Sequence, residues 1–324
     1  MTVTIHFLFD FYYGQVAKVS PPKKYVTSRL FTLKTAGIGN CLFEIVALLG
    51  VANSLHRIAF VNSLDTKLTG YLNKRIKNNF PKLYEQFEFK NVEESSMSMR
   101  NFHGTQCCKL RNPRMLQNYT DDYLFLKGAY FQSFLYFDHL RDEVRDWLTP
   151  AQKWLDLADT YIEGDQMDRF KICVHVRRGD FGPGRMHSPT NVTFTIPAVR
   201  FLMNEYDSDH HNNMMLVFLG NDEAFEKSIS DNFKDIEKII LPKTDPEKDL
   251  AFSRQYCDVV LITAPSSTFG WWLGYLSKTG RAVYYEDILE TADKVAQQMI
   301  QQEFYPRYWI KLVTDKKTGN VNKF

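Results

Sequence analysis

KICVHVRRGD, residues 171–180, sets an apolar, β-branched run against two arginines, a glycine and an aspartate. A short run of this kind with a glycine just beyond it predicts a buried strand over 171–176 that leaves the sheet at Arg177. Runs of the same character recur at MMLVFLG (214–220), EKIILP (237–242), DVVLIT (258–263) and RAVYY (281–285). EAFEKSISDNF, EKDLAFSRQY and TFGWWLGYLSK lie between most of them and carry helical periodicity. Apolar strands alternating with helices predict an α/β fold with a mostly parallel sheet covered on both faces.

Working toward the N-terminus, SRLFTLKTA (28–36) predicts a strand, Gly37-Ile38-Gly39 a tight turn, and Asn40 the cap of a helix that runs through Ala52. With RIAFV (57–61) as the next strand, this makes a βαβ unit whose helix N-terminus suits an anion. Residues 65–120 are polar and weakly periodic, and their basic patch Lys74, Arg75, Lys77 predicts a solvated helix face. YFQSFLYFDHLRDEVRDWL predicts helices, and Glu163-Gly164-Asp165 is the candidate hinge between two domains, 25–165 and 166–310.

The chain has 324 residues, 44% of them hydrophobic, enough for a large core. Lys plus Arg number 40 against 38 Asp plus Glu, so no global field draws the chain to nucleic acid or an anionic membrane. Its five cysteines form no CxxC or Cys/His cluster with metal-ligand spacing, so structural zinc is not expected. Cys41 and Cys173 read as core, whereas Cys107-Cys108 sits in a polar stretch; one disulfide is allowed, with no partner legible. Asn118-Tyr119-Thr120 and Asn191-Val192-Thr193 are sequons that accept glycans only in a secretory compartment. MTVTIHFLFDFYYG at the start is interrupted by Asp10, lacks a basic flank and is too short to span a bilayer, so it predicts neither signal peptide nor anchor.

Ligands of open α/β sheets sit at the carboxyl ends of the strands, which here are followed by Gly37, Gly39 and Asn40, by Arg177 to Asp180, by Asn221-Asp222 and by Pro265 to Thr268. Alternation places His175 and Arg177 on one face and Arg178 on the other, so the two arginines should do different work. An arginine fork matches phosphate oxygens, although both arginines would equally serve as structural partners of Asp180 and a second carboxylate. Ser266, Ser267 and Thr268 place hydroxyls at a helix start, as anion ligands or as simple caps. The Trp271-Trp272 helix reads as close packing, and the DxD spacing of Asp207 and Asp209, with His210-His211 beside it, as a solvated loop. Asp180, Glu44 and His187 are the candidate bases, and the sequence does not choose among them.

HVRRGD (175–180), AGIGN before a long apolar helix (36–40), YFQSFLYFDHLRDEV (130–144), KDLAFSRQYCDVVLITAPSSTFGWWLGYL (248–276) and FYPRYWI (304–310) together resemble the α-1,2-fucosyltransferases. The resemblance implies a GT-B-like pair of Rossmann-like domains facing a central cleft, 25–165 on the acceptor side and 166–310 binding GDP-fucose. It implies inverting transfer from GDP-β-L-fucose to the 2-hydroxyl of a galactose-containing glycan, with no metal and no further cofactor. Arg177 would bind the β-phosphate and, with Asp180, serve catalysis; His175 and Asp249 would hold the guanosine. Arg178, Ser266, Ser267 and Thr268 would complete the donor site, and Gly39 and Asn40 would close it. The Golgi lumen, as a type II membrane protein glycosylated at Asn118 and Asn191, is the location it implies. The glycine turn departs from the family's pattern, lacking its arginine and carrying Cys41 in place of glutamine. Rival readings are a fucosyltransferase of another linkage and a non-catalytic GDP-sugar or glycan binder. Oligomeric state is not legible.

Overall fold

The computed structural model describes residues 22–104, 107–182, 184–210, 213–278 and 282–324. MTVTIHFLFDFYYG, His211 and Arg281 lie outside the described residues. The first part of the chain forms β1 (Tyr25–Ser28), α1 (Ile38–Ser54), β2 (Ile58–Asn62), α2 (Thr66–Leu72), β3 (Glu88–Lys90), β4 (Ser98–Asn101) and β5 (Tyr123–Lys127). These strands make a parallel sheet in the order β3-β2-β1-β5-β4.

The predicted strand 28–36 is corrected: β1 ends at Ser28 and Thr32–Thr35 is a helical turn. Leu30 adopts φ 44°, turning the chain out of the sheet, and Glu44 of α1 accepts from both the Thr32 N–H and its hydroxyl, at 2.8 and 2.6 Å. A tertiary carboxylate overrides the local alternation. Asn40 is likewise not the cap; Gly37 occupies that position and Asn40 lies inside α1. The basic patch is not wholly solvated either, because Arg75 donates to the carbonyls of Leu33 and Ala36 at 2.9 and 2.8 Å and so holds the segment before the glycine turn.

Of the aromatic middle segment only α3 (Arg141–Trp147) is α-helical, followed by α4 (Gln152–Asp159); Phe134–Tyr136 and Asp138–Leu140 are single 3-10 turns. Then come β6 (Phe170–Val176), α5 (Val192–His210), β7 (Met214–Gly220), α6 (Glu223–Ser230), β8 (Glu237–Ile240), α7 (Pro246–Tyr256), β9 (Val259–Ile262), α8 (Thr268–Leu276), β10 (Val283–Glu286), β11 (Ile310–Thr314) and β12 (Val321–Lys323). Their order is β12-β11-β10-β9-β6-β7-β8, parallel except for the β11–β12 pair. Asp207 and Asp209 sit on the last turn of α5 and not in a loop. The second sheet also continues past Ile310 through β11 and β12.

One apolar cluster contains buried residues of both sheets and centres where α1 meets α8. Phe43 packs against Trp271 and Trp272 with ring centroids at 4.6 and 5.0 Å, and Phe137 stacks on Trp272 at 5.8 Å. The tryptophan helix is therefore packing, as its residue types predict. At Gly50 a Cβ would fall 2.0 Å from the Tyr136 carbonyl oxygen, so α1 can lie this close to the 3-10 turn only with glycine there. No helix among the described residues is long and apolar enough to cross a membrane.

Cys173 of β6 is bridged to Cys257 at the end of α7, with Cα atoms 5.7 Å apart, and Cys107 is bridged to Cys108. Cys41 is free and buried. The Cys173–Cys257 bridge joins positions 84 residues apart, so it should narrow the unfolded ensemble substantially. Replacing both cysteines by alanine should lower unfolding free energy by about 2–4 kcal/mol. Denaturant unfolding of wild type and variant checks this, and coincident midpoints would show that the bridge contributes nothing.

Candidate active site

The loop after β6 is built on backbone bonds that leave Arg177 facing inward. The Arg177 N–H donates to Thr190 Oγ1 at 2.8 Å, and its carbonyl accepts from the Thr190 N–H at 2.9 Å. Asn221, just after β7, accepts from the Arg178 N–H and donates to its carbonyl, both at 2.8 Å. Gly179 then takes φ 73°, a conformation that favours glycine. The side chains of the two arginines part as alternation predicts. Arg177 lines the cavity, with one guanidinium nitrogen 2.6 Å from Asp180 and its Nε buried without a partner. Arg178 does not line the cavity: it donates to the Thr190 carbonyl at 2.7 Å, lies 3.4 Å from Asp222 and covers the Phe225 ring at 4.0 Å. Arg178, read from the sequence as a donor-site residue, thus stands behind the loop and off the cavity lining.

The opposite wall is the start of α8. Ser267 caps it, accepting from the Gly270 N–H at 3.1 Å, and Tyr305 donates to the Pro265 carbonyl at 2.6 Å, so the late FYPRYWI segment holds this loop from behind. Thr268 donates to Asn40 Oδ1 at 2.8 Å, and Gln132 donates to the same oxygen at 2.8 Å. Trp272 donates through its indole N–H to the Gly39 carbonyl at 2.9 Å. A Cβ on Gly39 would lie 2.6 Å from the Phe269 nitrogen and 2.7 Å from the Thr268 carbonyl carbon. The two glycine-turn residues predicted to close the site are thus the atoms on which α8 rests.

Between these walls is a cavity of about 680 Å³. Gly39, Asn40, Arg177, Asp180, Asp249, Ser266, Ser267 and Thr268 line it, together with Tyr130, Gln132, His187, Asn221 and Lys243. It opens where residues following β6, β7 and β9 converge, the point at which chain order in the second sheet reverses about β6. His175 is not in its lining; it is fully buried beneath Gly270, where an added Cβ would fall 2.7 Å from the imidazole. His175, read from the sequence as a guanosine-holding residue, reaches the cavity wall only through Ser267, whose Oγ lies 3.3 Å from Nε2. Asp207, Asp209 and His210 also lie outside the lining.

Burial sets the electrostatics. Desolvation, with Arg177 nearby, drives the His175 pKa down to about 3, so this imidazole is neutral at physiological pH. Asp249, buried at the first turn of α7 with its Oδ1 3.2 Å from Lys248 Nζ, is pushed up to about 7 by the same desolvation. Glu44 is raised by burial, and both its oxygens are engaged, Oε1 accepting from the Tyr130 N–H at 3.1 Å. That bond holds Tyr130 at φ 72° and turns Tyr130 and Gln132 toward the cavity, so Glu44 shapes the wall and is no open base.

Of the two sequons, Asn118 is exposed, whereas Asn191 is engaged: its Oδ1 accepts from the Phe194 N–H at 2.8 Å and its Nδ2 donates to the buried Glu286 at 3.2 Å. The cap uses Oδ1, and the Nδ2 to which a glycan would attach faces Glu286. Gln132, Tyr130, Lys243 and Asp293 were not among the residues expected at the site. YFQSF signalled the first two only as part of a resemblance, and the others lack any local pattern.

Glyco_transf_11, the profile of glycosyl transferase family 11, matches residues 13–312. The chain belongs to that family. A Caenorhabditis elegans galactoside 2-alpha-L-fucosyltransferase is 40% identical over 93% of this chain and 80% of its own length. A second protein of that name and organism is 33% identical over 94% of this chain and 85% of its own. The crystal structure of POFUT1 in complex with GDP superposes with a TM-score of 0.50 at 9% identity, covering 82% of this chain and 99% of that one. At that identity the likeness speaks for an α/β, GT-B-like fold alone.

In this family 11 glycosyltransferase, Gly39→Ala should push the start of α8 outward, since the two nearest of the three atoms in the way are backbone. Misplacing site groups by about 1 Å can remove a hundredfold of function, so GDP affinity and melting temperature should both fall. Gly70→Ala in α2, with nothing within 4 Å of its Cβ and outside the cavity lining, is the control and should keep wild-type GDP affinity. Calorimetric titration with GDP checks both; an unaffected Gly39→Ala would mean that α8 tolerates the shift.

Proposed function

We propose that the protein transfers L-fucose from GDP-β-L-fucose to the 2-hydroxyl of a galactoside, with inversion and without a metal ion. The observation that carries this reading is Arg177 at the carboxyl end of the central β6, on the wall of a cavity large enough for a sugar nucleotide, in a chain 40% identical to a galactoside 2-alpha-L-fucosyltransferase. The Arg177–Asp180 pair does not argue against it. Asp180 is 56% exposed, and such pairs are worth about 0–1 kcal/mol, so a diphosphate can displace the carboxylate readily. The unpaired Nε and the displaced guanidinium nitrogen then give the fork a bidentate grip.

In this arrangement Arg177 stabilises the charge that develops on the departing β-phosphate, and Ser267 and Thr268 hold the diphosphate and fucose from the α8 side. Asp249 accepts from the guanine edge, and His175 keeps Ser267 in place. Gly39 and Asn40 join the segment 25–165, proposed to take the acceptor, to 166–310, proposed to take the donor. A secretory, Golgi-type location is consistent with the Cys173–Cys257 bridge, since disulfides persist in oxidising compartments, and with the exposed sequon at Asn118.

Incubation with labelled GDP-fucose and a panel of galactose-terminated glycans, followed by linkage analysis, tests the reading; product of another linkage or none at all would overturn it. Activity that vanishes with chelator would overturn metal independence. Arg177→Lys should lose about as much transfer as Arg177→Ala, roughly a hundredfold to a thousandfold, because lysine keeps the charge but not the fork. A fully active Arg177→Lys would reduce Arg177 to its ion pair. Because ionised Asp249 is the form that accepts from guanine, GDP affinity should be full above pH 7 and weaken as pH falls through about 7, toward tenfold per unit. Titration calorimetry from pH 5.5 to 8.5 checks it, and Asp249→Asn should flatten the dependence.

A further inference from the structure

The cavity wall carries a hydrogen-bonded chain that the donor site does not use. Ser266 Oγ donates to Asp293 Oδ2 at 2.5 Å and lies 2.8 Å from His187 Nδ1. The carboxylate of Asp293 also accepts from the Ser188 N–H at 3.0 Å and the Val295 N–H at 2.9 Å, so it has acceptor roles only. A serine hydroxyl has one hydrogen, and here the carboxylate takes it. Ser266 Oγ must then accept from His187, which places the imidazole proton on Nδ1 and the lone pair on Nε2. The ring stacks on Phe181 at a centroid distance of 4.4 Å and 12° between planes, which fixes its orientation, and no described residue bonds Nε2. His187 lines the cavity.

We propose that His187 is the general base that removes the proton of the acceptor hydroxyl, with Ser266 and Asp293 as positioning residues that hold its tautomer. This rests on the fucosyl-transfer reading above. The acceptor O–H bond breaks as its oxygen bonds to fucose C1, and the proton passes to Nε2. The bond from C1 to the β-phosphate oxygen breaks with its electron pair leaving on GDP, beside Arg177. The imidazolium then returns the proton to water. Neither other candidate fits as well: Glu44 has both oxygens engaged and lies off the cavity, and the exposed Asp180 carboxylate, once the diphosphate displaces it from Arg177, has no described side-chain partner left to orient it. Three charged groups act on His187: Asp293 and Asp180 raise its pKa, Arg177 lowers it, and burial outweighs them all and lowers it. The neutral, basic form therefore prevails at physiological pH, and kcat at saturating donor is lost as pH falls below the ordinary imidazole value.

His187→Asn is the informative substitution, because its amide can still donate to Ser266 Oγ while nothing replaces Nε2. At saturating GDP-fucose and galactoside its kcat should fall by about a hundredfold or more, the range for loss of a general base, with GDP affinity and melting temperature unchanged. The acid limb of the wild-type kcat profile should disappear, and added imidazole should restore part of the rate to His187→Ala. Ser266→Ala should keep that limb but lower kcat, since the ring is present without its anchor. A His187→Asn enzyme within threefold of wild type, an unchanged acid limb, or failure of imidazole rescue overturns the base. Wild-type protein that transfers fucose to no galactoside instead overturns the function on which the base depends.

Discussion

The crossing of α1 and α8 is the constraint on which the site depends. It brings backbone against backbone at Gly39, where a single methyl would strike Phe269 and Thr268, and it buries Phe43, Trp271 and Trp272 in one aromatic contact. Burying aromatic side chains of this size supplies a large share of core stability, and here it lies directly beneath the cavity. Because interiors are packed like organic crystals, the crossing has little freedom to slide, so Asn40 and Thr268 meet the ligand space at a fixed separation.

Around that crossing, polar side chains are used as spacers. Glu44 spans from the Thr32 turn to the left-handed Tyr130, Asn40 receives Gln132 and Thr268, and the Thr190 and Thr263 hydroxyls meet at 2.8 Å under the β6 loop. Each would be costly if left unpaired in this interior, which makes the network fix one arrangement of loops and not several. The result is a wall backed by the neutral His175, with Asp249 raised by burial on one side and a fixed cation at Arg177 on the other. A cation in such surroundings acts on a developing phosphate charge more strongly than it would in water.

What was legible in the residues followed from short-range rules. β7 was placed to the residue and β6, β8, β9 and β10 within about two positions, because buried parallel strands announce themselves as apolar runs. Arg177, Asp249, Asn40 and the three hydroxyl residues were legible because they stand just after strands or at helix starts, where backbone direction alone brings side chains to the sheet edge. The parting of Arg177 and Arg178 needed only the two-residue period of a strand.

Other features were decided by groups distant in sequence. The segment 28–36 turned helical because Glu44 captures Thr32, and β3, β4 and β5 are short edge or half-buried strands whose weak patterns acquire meaning only beside β1 and β2. The bridge partner of Cys173 is set by the end of α7 meeting the middle of β6. His175 and Arg178 stand off the cavity lining because α8 covers one and Phe225 the other, and a residue's own sequence does not say what packs over it. The chain of Asp293, Ser266 and His187 is the plainest case: three segments with no common pattern meet through two hydrogen bonds. Sequence by itself determines what depends on neighbours along the chain, the strands, their ends and the family; proton positions and cavity walls depend on neighbours across it, and only the folded chain brings those together.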